Sequence, residues 1–143
     1  MAIFAANLID LCPMHIDHIA LWVRDLDRMR TFYETYFGAT ANEKYTNLSK
    51  GFSSYFLTFP DGGSRLEIMQ MPGIPDTKNE ALLQFMGLIH FAISVGSKDA
   101  VDALTQRLRV DGYTIVGEPR HTGDGYYESV VLDPEENRIE ITA

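Results

Sequence analysis

A single cysteine, Cys12, gives the chain no partner for an intrachain disulfide, so a reducing compartment, the cytoplasm, is the simplest expectation. Basic residues are also scarce: 12 Lys and Arg against 20 Asp and Glu leave a formal charge of −8. A field of that sign repels phosphate backbones and anionic lipid, so neither nucleic acid nor a membrane surface is expected as a partner. A small anionic substrate stays open, because a local metal or arginine can reverse the potential inside a pocket. No apolar run approaches the roughly 20 residues that a membrane span needs. The leading MAIFAANLID lacks a basic flank and meets Asp10 too early for a signal peptide. Phosphate-cradling G-x-x-x-x-G-K-[ST] and G-x-G-x-x-G loops are missing, as are C-x-x-C, H-E-x-x-H and C-x-x-C-H. These gaps remove the usual sequence support for ATP, dinucleotide, zinc-finger, thioredoxin-like, zincin and cytochrome chemistry.

What the chain does have is a repeat. His18 opens HIALWV and His90 opens HFAISV, while Glu67 stands in LEI and Glu140 in IEI. Each His precedes its Glu by a similar distance, 49 and 50 residues. The surrounding patterns repeat with them. An alternating run over residues 14–24 precedes a helix capped by Asp25, with the apolar stripe Leu26, Met29, Phe32, Tyr33, Tyr36 and Phe37 and a stop at Gly38. Strands are then expected around residues 40–46, 52–59 and 65–69, with PDGG as a turn. After residues 71–86, which read as a linking loop or short helix, the order returns. A strand over 88–95 leads to a Ser97 cap, a helix carrying Val101, Leu104 and Leu108, a stop at Gly112, and strands around 113–116, 127–132 and 138–142. DPEEN takes the place of PDGG. With 143 residues and 45% apolar side chains, the expectation is one globular α+β domain over 1–143. It is built from two tandem βαβββ modules, 14–70 and 87–143, with 71–86 as linker.

Period-2 alternation then sorts the faces. Leu66 and Ile68 oppose Glu67, Ile139 and Ile141 oppose Glu140, and Ile89, Phe91 and Ile93 oppose His90. Helices must cover the large apolar face, which leaves His18, Glu67, His90 and Glu140 on the uncovered one. Two imidazoles and two carboxylates suit Zn, Ni, Co, Fe or Mn and are poor for Cu(I). Taken singly, such a His or Glu is an ordinary structural or solvated residue; the matched flanks are what make the four a candidate metal set. His15 competes for the N-terminal place but falls on the other strand face and lacks the H-x-A-x-x-V pattern. His121, beside Gly123 and Gly125, and Tyr126 and Tyr127, after TGDG, are candidate lid or pocket residues.

The segments from His18 through FYETYFG, LEI, GLIHFAISV and VVLDPEENRIEI resemble the glyoxalase I, bleomycin resistance and extradiol dioxygenase superfamily, also called vicinal oxygen chelate proteins. The resemblance covers nearly the whole chain from about residue 15. It implies that the paired βαβββ modules form an incomplete barrel-like cleft, and a homodimer in which His18 and Glu67 of one chain meet His90 and Glu140 of the other. The His, Glu, His, Glu order is that of glyoxalase I. It implies a metal-dependent lyase or isomerase acting through an enediolate on a small vicinal-oxygen substrate, for instance the hemithioacetal of a thiol and a 2-oxoaldehyde. Ni, Zn or Co would be the metal, with Fe or Mn as further options. Glu140 would be the main base and Glu67 the second carboxylate. Trp22 stands where small bacterial glyoxalase I carries a glutathione-binding arginine, and Met69, Gln70 and Met71 stand near the place of a glutathione-contacting asparagine. Glutathione is therefore disfavoured as the thiol, and Trp22, Phe56 and Met69 are candidates for an apolar wall. DPEEN also lacks the glycine usual at Glu136. Alternatives within the resemblance are a metal-independent binding or antibiotic-resistance protein, a thiol transferase acting on an epoxide antibiotic, and an Fe(II)- or Mn(II)-dependent ring-cleaving enzyme.

Overall fold

The computed structural model describes residues 14–143; Cys12 and the leading segment weighed as a signal peptide lie outside the described residues. The first module runs β1 (His18–Trp22), α1 (Leu26–Phe37), β2 (Thr40–Ala41), β3 (Tyr45–Asn47), β4 (Phe52–Thr58) and β5 (Arg65–Gln70). The second runs β6 (Phe91–Ser94), α2 (Lys98–Val110), β7 (Ile115–His121), β8 (Tyr127–Leu132) and β9 (Arg138–Thr142). In each sheet the first strand lies parallel to the last and the last is antiparallel to the one before it. The orders are β1-β5-β4-β2, with β3 also on β4, and β6-β9-β8-β7. Two open sheets with no closed barrel make an incomplete cleft, and the α+β fold of two βαβββ-like modules is the one the repeat predicts.

Both helices begin where a side chain can satisfy their free N–H groups. Asp25 accepts from the Arg28 N–H at 2.9 Å, and Ser97 from the Ala100 N–H at 3.2 Å. The buried stripe of α1, Leu26, Met29, Phe32, Tyr33 and Phe37, lies against Leu57, Leu66 and Ile68 of its own sheet. It also reaches the second module: the Phe32 and Tyr113 rings are 4.9 Å apart, and the Tyr33 hydroxyl donates to Asp133 at 2.7 Å. In α2, Val101, Thr105 and Leu108 are buried. The Thr105 hydroxyl donates to the Val101 carbonyl at 2.6 Å and shares a hydrogen bond with Ser129 at 2.7 Å, so the one polar pair in that contact is satisfied. Val131, Ile139 and Ile141 complete a single core that spans both modules. Each such large aliphatic side chain, fully removed from water, contributes about 1.5–3 kcal/mol.

Several element boundaries differ from the sequence expectation. The strand expected over 40–46 is split into β2 and β3. At the break the Asn42 side chain accepts from the Phe56 N–H at 2.8 Å, while its own N–H reaches the Phe56 carbonyl. β7 continues through Pro119 to His121 instead of stopping near 116, which an edge strand allows because no neighbour needs the missing N–H. His121 therefore ends a strand and is not in the glycine-rich loop. The strand expected over 88–95 is shorter, β6 starting at Phe91 so that His90 stands just before it, while residues 76–86 form turns and bends, the loop of the two options.

Candidate functional site

The two His–Glu pairs are built alike. In the first sheet Ala20 stands opposite Glu67 across the parallel β1–β5 ladder; in the second, Ala92 stands opposite Glu140 across β6–β9. Each His lies two residues before that alanine, so His and Glu are diagonal neighbours on the helix-free face. The small alanine leaves room for the carboxylate to lean toward the ring. His18 Nε2 is 3.7 Å from Glu67 Oε2, and His90 Nε2 is 3.4 Å from Glu140 Oε2. Two donors on one divalent cation, with bonds near 2.1 Å, are roughly 3.0–3.4 Å apart, so the His90–Glu140 pair lies at the upper end of that range and the His18–Glu67 pair just beyond it, a small side-chain adjustment from the spacing of adjacent ligands. In donor chemistry and spacing the pairs fit a divalent metal.

Within one chain, however, the pairs remain separate. Among the described residues no group of three or more His, Cys, Asp or Glu side chains is placed to hold a metal ion. α1 packs against the second module through Tyr33 and Phe91.

The surroundings of each pair differ. His18 Nδ1 donates to Asp17 at 2.8 Å, and Asp17 also receives the Arg65 guanidinium at 2.7 Å. Those partners, His18 first, hold the Asp17 carboxyl below the usual range. A proton held on Nδ1 leaves the Nε2 lone pair facing Glu67. The His18 ring also meets Phe56 edge-on at 5.2 Å, and the Arg65 guanidinium lies over that aromatic ring at 4.3 Å. Trp22 and Met69 are register partners on this same face. Trp22 is 42% exposed and edge-on to Phe52 at 6.1 Å, and Trp22, Phe56 and Met69 share this face.

Beside the second pair lies a residue that alternation marks but the motif does not. Ser129 and Val131 of YESVVL face α2, which puts Glu128 on the face of Glu140. Only 7% of Glu128 is exposed, and burial, followed by the adjoining Glu140 carboxyl, raises its pKa above the usual carboxylate range. Arg120 approaches it at 3.4 Å. Of the loop candidates, Tyr126 is exposed, and His121 packs on Tyr127 at 4.8 Å. Tyr127 turns to the helix side, donating to Asp102 at 2.6 Å beneath the Lys98 ammonium, away from the Glu140 face.

Tandem βαβββ modules with a His–Glu pair on each helix-free face define a class of proteins that build clefts from repeated half-units. The model of the Glyoxalase/Bleomycin resistance protein/Dioxygenase superfamily matches residues 15–141, and the chain belongs to that superfamily. It is 30% identical over 129 residues to the uncharacterized protein YqjT of Bacillus subtilis (strain 168), covering 88% of this chain and 96% of that one. Among solved structures, a possible glyoxalase from Bacillus cereus is 28% identical with a TM-score of 0.64, covering 91% of this chain and 99% of that one. A glyoxylase/bleomycin resistance protein/dioxygenase domain from Frankia sp. EAN1pec has a TM-score of 0.74 at 19% identity, over 90% of this chain and 96% of that one, a likeness of fold alone.

Proposed function

We propose that this protein is a metal-dependent lyase or isomerase of the glyoxalase I type, acting on a small vicinal-oxygen substrate such as the hemithioacetal of a 2-oxoaldehyde and a thiol other than glutathione. The observation that carries this is the matched register of the two His–Glu pairs. Each offers one imidazole nitrogen and one carboxylate oxygen 3.7 or 3.4 Å apart. A homodimer supplies what one chain lacks: His18 and Glu67 of one protomer facing His90 and Glu140 of its partner make four ligands for Ni, Zn or Co, or for Fe or Mn. Such an isologous assembly carries two equivalent sites. The match to the superfamily over residues 15–141 supports the reading, as does the likeness to the possible glyoxalase of Bacillus cereus. Among the described residues no helix is long and apolar enough to cross a membrane, in keeping with a cytoplasmic small-molecule enzyme.

A bound divalent cation would supply electrostatic stabilisation for negative charge developing on the substrate oxygens. The protein's own part is proton transfer and shape. Glu140 removes the proton alpha to the carbonyl and, as the conjugate acid, returns it to the neighbouring carbon; Glu67 is the second carboxylate. Trp22, Phe56 and Met69 hold the apolar body of the substrate and keep water from the reacting carbon.

Metal analysis of tag-free protein, paired with a methylglyoxal-plus-thiol turnover assay, tests this. The expected result is about one Ni, Co or Zn per chain. Turnover should fall roughly 10²–10⁴-fold in Glu140→Gln. Failure to bind metal even after reconstitution would overturn the proposal in favour of metal-independent small-molecule binding.

A further inference from the structure

Glu128 is a buried carboxylate for which the chemistry above has no use. Its position follows from strand alternation. Its neighbours Tyr127 and Ser129 are tied to α2 through Asp102 and Thr105, so Glu128 projects from the opposite side of β8. On β9 its register partner is Thr142, and Val130, two residues on, is paired with Glu140. Glu128 and Glu140 are therefore diagonal neighbours on one face of the sheet. Two carboxylates on one face, one of them almost out of water, repel each other when both are charged, and a proton or a cation relieves them.

The protein relieves them only in part. Arg120, on the neighbouring strand β7, reaches Glu128 at 3.4 Å and is itself 51% exposed, so much of its charge is spent on solvent. Thr142 Oγ1, across from Glu128, is buried and makes no hydrogen bond, so it donates nothing to the carboxylate. Arg120, Glu128, Glu140 and His90 form a chain in which positive charge is supplied at one end. The deficit lies at the Glu140 and His90 end. The first half-site is arranged otherwise. There Ser54 holds the place on β4 that Glu128 holds on β8, and the outer carboxylate is Asp17, which is well exposed and paired with Arg65 at 2.7 Å. A carboxylate in low dielectric with a distant counter-ion acts more strongly on a nearby cation than one that is exposed and closely paired.

We infer that Glu128 is a positioning residue that raises the affinity of the His90–Glu140 pair for a divalent cation, with Arg120 as the counter-charge that tempers it. The inference rests on the metal-dependent reading above and deepens it. Removing the carboxylate leaves Arg120 free to swing toward Glu140 and compete with the metal. Removing Arg120 leaves Glu128 uncompensated and the half-site more negative.

Zn²⁺ titration against a chromophoric chelator tests this in the wild type, Glu128→Gln, Arg120→Gln and the double variant. Zn²⁺ binding should weaken about 10–100-fold in Glu128→Gln, the range found for outer partners of metal ligands. Arg120→Gln should bind as tightly as the wild type or tighter, and the double variant should fall between the two single ones. A merely structural ion pair would weaken binding alike in both single variants, and that result overturns the inference, as does unchanged affinity in Glu128→Gln. These outcomes leave the metal-dependent reading standing. A wild-type protein that takes up no Zn²⁺ defeats both.

Discussion

At φ 69° Glu136 carries a side chain into the left-handed region of backbone space, a placement that costs of order 1–3 kcal/mol unless its surroundings impose it. Asp133 imposes it. Its carboxylate accepts from the backbone N–H groups of Glu135 and Asn137, from the Asn137 amide and from the Tyr33 hydroxyl, while the Glu136 N–H returns to the Asp133 carbonyl. Glu136→Gly keeps every one of those bonds, because none uses the Glu136 side chain. It should stabilise the fold by about 1 kcal/mol, read as a higher urea midpoint at unchanged slope. The strain was legible only through the resemblance, since DPEEN lacks the glycine usual in that family at Glu136. The network that enforces it was not, because Tyr33 lies a hundred residues from Asp133 and no local pattern links them.

Among elements, the joint between the β8–β9 turn and the start of α1 holds the modules in register. The Glu135 carboxylate accepts from the Arg24 N–H at 2.7 and 2.8 Å and from the Asp25 N–H at 2.9 Å, a carboxylate seated at a helix N-terminus that belongs to the other half of the chain. Glu135→Ala removes those bonds without touching the core and should lower stability by roughly 1–2 kcal/mol in denaturant titration. Element types and helix caps were readable because they depend on neighbours: Asp25 and Ser97 begin helices, and alternation marks β1, β5, β8 and β9. Element ends were less so. Asn42 breaks a strand by borrowing a backbone partner from β4, and β7 runs through Pro119 because it lies at an edge. Both depend on which strand lies alongside, which the local sequence does not contain.

For the whole molecule, periodicity placed His18, Glu67, His90 and Glu140 on helix-free faces, and the structure makes them two pairs. The step from pairs to a four-ligand centre lies beyond any face assignment, since alternation says which side of a sheet a residue occupies and not which other sheet it looks at. The proposed dimeric centre, with its halves on separate modules, has a genetic consequence. In that dimer a chain disabled at His18 and a chain disabled at Glu140 would each be inactive alone, yet when they pair, the untouched second module of one would meet the untouched first module of the other. Random mixing of His18→Ala with Glu140→Gln protein, followed by reassembly, should restore about a quarter of wild-type turnover, because half the dimers are mixed and each has one intact centre of two. Two alleles that each abolish activity would then complement in the same cell.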